Sequence, residues 1–421
     1  MTTTPRSTAF PAPAVSGTPS LSGASPVAQR VDTQPSRFPQ NGHGGAVYHL
    51  SRSLGIAPDA FLDFSSNANS LCDDLTHTIL SKLTVPYRHY PDSACAALRE
   101  HLAAHEGVSP DCILPGNGSS ENIHLAIQQL RPRHAIILAP IFSEYVRACQ
   151  IFGTRVTLVP CSPEHGFSCT ETELSLLANT DADMAILCSP NNPACVTYTN
   201  IAAILNRLRV KTALIDTTYS EFLWGQADYA GSRFSALAAM ARSGTDIVAV
   251  QSFTKFFYCT GVRLGYSVAT PEVTARLEQG KIPWSVSTFA EQAGIAFLQH
   301  ISLYRERLPA LRQERAAFAH ALRTAKTGEG EGLPLFKKET IFEGVNFVIA
   351  QLFRPADAAA LQDHLTHHGL LVRVCDSIPG MPVGFLRMQV RERRAWEHLI
   401  QTMATFSRPC PTRPTGLTSD V

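Results

Sequence analysis

Apolar residues gather in short blocks along the middle of the chain. "HAIILAP" (134–140), "ADMAILCSP" (182–190), "KTALIDTTY" (211–219) and "DIVAVQSF" (246–253) are of strand length, and each ends in polar or turn-forming residues. Runs without polar alternation predict strands buried on both faces. Between them, "SENIHLAIQQL" (120–130), "NIAAILNRLR" (200–209) and "SALAAMAR" (235–242) space their apolar residues as helices do. Strand and helix taking turns predict an α/β unit with a mostly parallel sheet. In such sheets ligands sit beyond the carboxyl ends of the strands.

After about residue 305 the pattern changes. "LYRERLPALRQERAAFAHALR" (303–323) predicts one long helix, followed by the strand-like runs "GVNFVIAQL", "GLLVRVC" and "FLRMQV" and by helical spacing over 357–365. That predicts a second, smaller α+β domain. Residues 1–40 are rich in Pro, Ser, Thr and Ala and lack the charged and apolar regions of a secretory signal; they predict disorder. The tail "RPCPTRPTGLTSDV" (408–421) reads the same way. The expected organisation is a disordered segment at 1–40, an arm at 41–80 joining the small domain, a large domain at 81–302, a small domain at 303–407 and a disordered tail at 408–421. No internal repeat is visible.

Composition narrows the class. The chain has 421 residues, 44% of them hydrophobic, enough for a sizeable core and more than one domain. Its formal net charge is +1, and no basic stripe interleaves with aromatics, so no nucleic-acid partner is expected. No apolar run is long enough to span a bilayer. The eleven cysteines are scattered without a C-x-x-C pair, which reads as reduced cytoplasmic thiols filling apolar space, with no metal site expected.

Candidate chemistry collects at the strand ends. "LPGNGSSENIHLAI" (114–127) sets Gly116, Gly118, Ser119 and Ser120 directly before a helix. Free amides and the positive helix end suit a phosphate there, although a Gly-Ser start is also an ordinary helix cap. Phe142 and Tyr145 follow the next strand; either could stack on a flat ring or pack in the core. Asn191, Asn192 and Pro193 form a turn whose amide could donate to a phenolate oxygen. Asp216 emerges from a buried run, where a carboxylate needs a partner or solvent, with Tyr219 three residues on. "SFTKFFYCTGVRLGY" (252–266) places Lys255 in aromatic company, where desolvation depresses a lysine pKa and yields an amine that condenses with carbonyls. Ser252 and Arg263 flank it as phosphate donors. Together these groups suit an aromatic aldehyde bearing a phosphate, a phenolic oxygen and a ring nitrogen: pyridoxal 5′-phosphate.

On these residues the sequence resembles aminotransferase class I/II, the fold-type I pyridoxal-phosphate enzymes with the aspartate aminotransferase-like fold, over about residues 41–405. Within that group it is similar to the branch holding histidinol-phosphate aminotransferase and threonine-phosphate decarboxylase. The stretches that carry this are "HGGAVYHLSRSLG" (43–55), "DFSSNANSL" (63–71), "PWSVSTFAEQA" (283–293) and "LLVRVCDSIPGM" (370–381). "RHYPDSACAALREHLA" (88–103) and "FLRMQV" (385–390) are shared more widely. The resemblance implies a large domain built on a mostly parallel, seven-stranded type of sheet beside the small domain. It implies that Lys255 is the Schiff-base lysine and that Asp216 pairs with the pyridine nitrogen. Asn192 and Tyr219 would bind the phenolic oxygen. Gly118, Ser119, Ser120, Ser252 and Arg263 would hold the phosphate, and Phe142 would stack on the ring. Tyr90 would reach the phosphate of a neighbouring subunit, which implies a homodimer with shared sites. Arg387 would clamp the substrate α-carboxylate, whereas the residue alone reads as a strand arginine snorkelling to solvent. Arg373 and His43 are candidate distal anion contacts; a strand-edge charge and a loop residue are the plain alternatives.

The chain departs from the family pattern at "NNPAC" (Ala194, Cys195), at Thr217 after the aspartate, at Ser70 and at Ser287. All four lie around the substrate and loop regions, not at the cofactor anchors. The implied reaction is decarboxylation of an anionic or phosphorylated L-amino acid. The alternatives are transamination of histidinol-phosphate type with an oxo-acid acceptor, and cyclisation or elimination. A silent cofactor-binding regulator fused to a DNA-binding domain is disfavoured, because residues 1–40 are too short and too proline-rich for one.

Overall fold

The computed structural model describes residues 29–31, 44–178, 180–240, 244–326 and 334–407. Its larger sheet has eight strands, in the order Gln29–Val31, Arg155–Pro160, His134–Ala139, Met184–Cys188, Thr212–Asp216, Asp246–Ser252, Gly265–Val268 and Ile113–Gly116. The strands from Arg155–Pro160 to Asp246–Ser252 are parallel. Gly265–Val268 runs against them, and Ile113–Gly116 runs against Gly265–Val268 in turn. Every residue of the Met184–Cys188 and Thr212–Asp216 strands is buried, as strands covered on both faces must be. Neighbours in one strand face opposite cores: Ile215 and Ala249 join one apolar cluster, Leu214 and Val248 the other. Helices Gly118–Leu130, Ser143–Ile151, Ile201–Arg207 and Pro271–Glu278 bury apolar faces on the sheet.

Two sequence expectations need correction. The sheet gains an eighth strand because Gln29–Val31, within the segment expected to be disordered, pairs antiparallel with Arg155–Pro160. A sheet edge offers unpaired amides and carbonyls to any extended backbone, whatever its composition. The rest of 1–40 and the 408–421 tail lie outside the described residues. The long helix expected at 303–323 is two helices, Ile301–Arg305 and Leu308–Thr324, broken at Glu306 and Arg307. Pro309 lacks a backbone donor and is tolerated only in the first turn of the second helix, where it sits.

The smaller sheet is antiparallel throughout, in the order Phe336–Glu343, Phe347–Leu352, Phe385–Gln389, Arg373–Val374. Helices Leu308–Thr324, Ala358–His367 and Arg393–Ala404 cover it, with Phe318 stacked on Trp396 at 5.6 Å. The "GLLVRVC" run breaks into Leu370–Leu371, which pairs with Leu62–Asp63, and Arg373–Val374. The residues after Leu62 are thereby drawn to the smaller sheet, where Gln389 N donates to the Phe64 carbonyl at 2.8 Å.

A buried charge cluster braces the larger sheet near its strand ends. Glu221, just past Tyr219, bonds His105 (3.1 Å), Arg233 (3.2 Å) and Arg305 (2.9 Å). Among the described residues no helix is long and apolar enough to cross a membrane.

Candidate functional site

The carboxyl ends of the larger sheet meet the smaller sheet at a cavity of about 210 Å³. Its wall includes Ser119, Ser120, Phe142, Asn192, Asp216, Tyr219, Ser252, Lys255, Arg263, Arg373 and Arg387.

Local folding explains each placement. Asp216 closes a buried strand, and its Oδ1 accepts from Thr218 N at 2.8 Å, the turn an Asp makes with its own backbone. Its Oδ2 accepts from the Tyr145 hydroxyl. Ser252 caps the Phe253–Phe256 helical turn, its Oγ accepting from Thr254 N at 3.3 Å. Phe253, Phe256 and Phe257 are buried, and Phe257 stacks on Phe297 at 5.0 Å. These aromatics anchor the turn that carries Lys255 into the cavity, which answers for its apolar company in the sequence. Lys255 Nζ donates to the Ser66 carbonyl at 2.6 Å. Arg387 projects from the smaller sheet and donates to the Ser65 carbonyl at 2.8 Å and to Asn192 Oδ1 at 2.5 Å.

Burial pushes the Lys255 ammonium down to about 7; Arg387 and Arg263 add to the effect, and Asp63 and Asp216 oppose it. The amine is therefore uncharged in a useful fraction near neutral pH. Burial pushes the Asp216 carboxyl up, while Tyr145, Thr218 and Lys255 favour its ionised form. Burial also raises the Tyr219 phenol above its ordinary value, against the pull of Arg387.

The cavity suits pyridoxal phosphate on its own geometry. Gly118 has φ +73°, and a Cβ there would stand 2.8 Å from Arg263 Nη2. A Cβ on Gly265 would meet Ser119 N at 2.4 Å. The start of the Gly118–Leu130 helix is thus bare backbone beside an arginine and two serine hydroxyls, a setting for a phosphate. Across the cavity the buried Tyr219 Oη makes no hydrogen bond among the described residues, leaving a donor for a ligand oxygen. Asp216 and Lys255 line the same cavity.

One expected site residue stands apart. Tyr90 is 80% exposed, outside the cavity wall, and stacks on Trp284 at 4.7 Å. His43 lies outside the described residues. Sequence reasoning missed Ser65 and Ser66, whose carbonyls accept from Arg387 and Lys255, and it missed Asn67. Asn67 is fully buried at φ +55° with Nδ2 3.4 Å from Asn192 Oδ1. An Asn after two serines is a left-handed turn signal, and that was the available clue.

Comparison with known proteins agrees with this geometry. The family model for aminotransferase class I and II matches residues 60–403. The chain is 30% identical over 369 residues to a threonine-phosphate decarboxylase from Salmonella typhimurium, spanning 86% of this chain and 95% of that protein. It is also 30% identical over 345 residues to a histidinol-phosphate aminotransferase from Symbiobacterium thermophilum, spanning 80% and 88%. Among solved structures, the histidinol-phosphate aminotransferase from Sinorhizobium meliloti in complex with pyridoxal-5′-phosphate shares the fold with a TM-score of 0.70 at 17% identity, covering 88% of this chain and 97% of that one.

Proposed function

The chain belongs to aminotransferase class I and II, a family of pyridoxal-phosphate enzymes, and from that membership we propose that it decarboxylates a phosphorylated or otherwise doubly anionic L-amino acid. One observation carries the substrate class. Arg373 and Arg387 are direct cross-strand partners in the smaller sheet, and both line the cavity. Like charges placed opposite each other destabilise a sheet. Such a pair suits a ligand bearing a carboxylate and a second anion. Arg387 would take the α-carboxylate with its planar fork, and Arg373 the distal group, with His43 as a further contact.

The bound cofactor supplies an electron sink that lets a bond at the substrate α-carbon break heterolytically. The protein's own groups do the rest. Lys255 would hold the cofactor through its uncharged amine and serve as the proton carrier at the α-carbon. Asp216 would hold the proton of the ring nitrogen. Asn192 and Tyr219 would bind the phenolic oxygen, and Phe142 would cover the ring. Gly118, Ser119, Ser120, Ser252 and Arg263 would bind the phosphate.

We assign a homodimer in which Tyr90 reaches the phosphate of the neighbouring subunit; its exposure, stacked on Trp284, supports that reading. We assign the large and small domains to 81–302 and 303–407, with 41–80 as an arm of the small one. A cytoplasmic setting fits the ten cysteines that are unpaired among the described residues.

Transamination with an oxo-acid acceptor is the second reading, favoured by the equal likeness to an aminotransferase relative. Purified enzyme incubated with O-phospho-L-threonine, O-phospho-L-serine and common amino acids, with and without 2-oxoglutarate, separates them. Carbon dioxide released without the oxo-acid establishes the decarboxylase. Product formed only with the oxo-acid establishes the aminotransferase and overturns the first reading.

A further inference from the structure

We propose that Tyr145 is a positioning residue for the cofactor ring: its hydroxyl holds one oxygen of Asp216 and keeps that side chain an acceptor aimed at the ring nitrogen. The inference rests on the assignment of Asp216 to that nitrogen.

Tyr145 lies in the first turn of the Ser143–Ile151 helix and is fully buried. It reaches over the end of the Met184–Cys188 strand to the end of Thr212–Asp216. Its hydroxyl donates to Asp216 Oδ2, while Oδ1 is held by Thr218 N at 2.8 Å. Both oxygens are pinned from the protein side, so the carboxylate cannot swing, and each keeps a lone pair for a ligand. The direction of the Tyr145 bond is set by its surroundings. Cys188, the other polar neighbour of the hydroxyl, commits its thiol to the Pro190 carbonyl at 3.3 Å. The phenol proton therefore goes to Asp216. Phe142 meets the Tyr145 ring edge-on at 5.8 Å, so one helix turn serves both the ring face and the carboxylate behind it.

The ionisable groups around this pair are Tyr145, Cys188, Tyr219 and Lys255, with Arg387, Arg263 and Asp63 beyond Lys255. A donor to a buried carboxylate lowers its basicity. Without the hydroxyl, the single proton shared by Asp216 and the ring nitrogen shifts toward Asp216, and the ring loses positive charge. The nitrogen linking Lys255 to the cofactor then keeps its proton to higher pH.

The test is Tyr145→Phe in the holoenzyme, which removes one oxygen and leaves the ring. The pH midpoint of the bound cofactor's visible absorption change should rise by roughly 0.5–1 unit. The cofactor dissociation constant should increase roughly threefold to tenfold. Asp216→Asn serves as the reference and should move the midpoint further. If Asp216→Asn shifts the midpoint and Tyr145→Phe does not, the Tyr145 proposal is overturned, whatever happens to melting temperature. If neither variant shifts it, the assignment of Asp216 is the one that fails.

Discussion

Arg387 Nη1 donates to Asn192 Oδ1 at 2.5 Å, so a strand of the smaller sheet grips the turn that follows a strand of the larger one. The same guanidinium is held by the Ser65 carbonyl at 2.8 Å. Three separate stretches of chain thus fix one fork. Arg387→Ala should lower kcat/KM by ~100-fold or more, on the order of 3 kcal/mol for a buried charged contact. Arg387→Lys should recover little, because a point charge cannot replace a planar pair of donors. Steady-state kinetics with the preferred substrate decide this; an alanine variant within threefold of the parent would remove Arg387 from carboxylate binding.

Arg373 is predicted to separate substrate classes. Arg373→Ala should raise KM for a phosphorylated amino acid at least tenfold, about 1.4 kcal/mol, and change it much less for the unphosphorylated parent. Equal effects on both substrates would deny Arg373 the distal anion.

Lys255 makes stability depend on pH. Its amine stands at about 7 in the fold, against roughly 10.4 when unfolded. Between these values the unfolded chain binds the extra proton, so stability of the cofactor-free protein rises with pH across that window. Lys255→Met should therefore melt higher than the parent at pH 7, and the gap should narrow toward pH 10. A pH series of thermal melts reads this directly. The same variant should take up no cofactor that borohydride can fix to protein.

Glu221 has the opposite sign. Burial works against its ionisation, but His105 and Arg305 overcome that and hold the carboxyl at about 2. With roughly 4.3 as the unfolded value, this stabilisation is complete above that pH and is lost as pH falls toward 2. Glu221→Gln should cost ~3 kcal/mol or more at pH 7, since Arg305 stays buried without its carboxylate, while Arg233 keeps Glu106 at 2.9 Å. It should also flatten the acid limb of the stability profile. Denaturant melts at pH 7 and at pH 3 measure both.

Gly118 tests the proposed phosphate site. Gly118→Ala must hold φ near +73° and press its methyl toward Arg263, at ~1–2 kcal/mol for the backbone alone. Cofactor affinity should fall at least tenfold, a shift that equilibrium titration of the apoprotein would register.

Much of this was legible in the sequence for a definite reason. Strands such as Thr212–Asp216 are buried on both faces, so they read as unbroken apolar runs, and a polar residue ending one stands out. Asp216 and Asn192 stand out that way, and Lys255 and Arg263 by their apolar company. What escaped depends on distant partners. Ser65 and Ser66 act through backbone carbonyls, which every residue has. The "QRV" of Gln29–Val31 becomes a strand only because the Arg155–Pro160 edge is open to it. Tyr145 announces an aromatic ring, but nothing in its neighbourhood says that its hydroxyl meets a carboxylate more than seventy residues later. Facing registers such as Arg373 with Arg387 emerge only when two short strands align.

The stacked pair of Tyr90 and Trp284 stands in water on one copy of the chain. If each copy lends that tyrosine to its neighbour, catalytic output per molecule is a function of dilution. Specific activity should then sag at low enzyme concentration and recover when inactive but Tyr90-bearing copies are added back, so that a crippled chain can rescue an intact one.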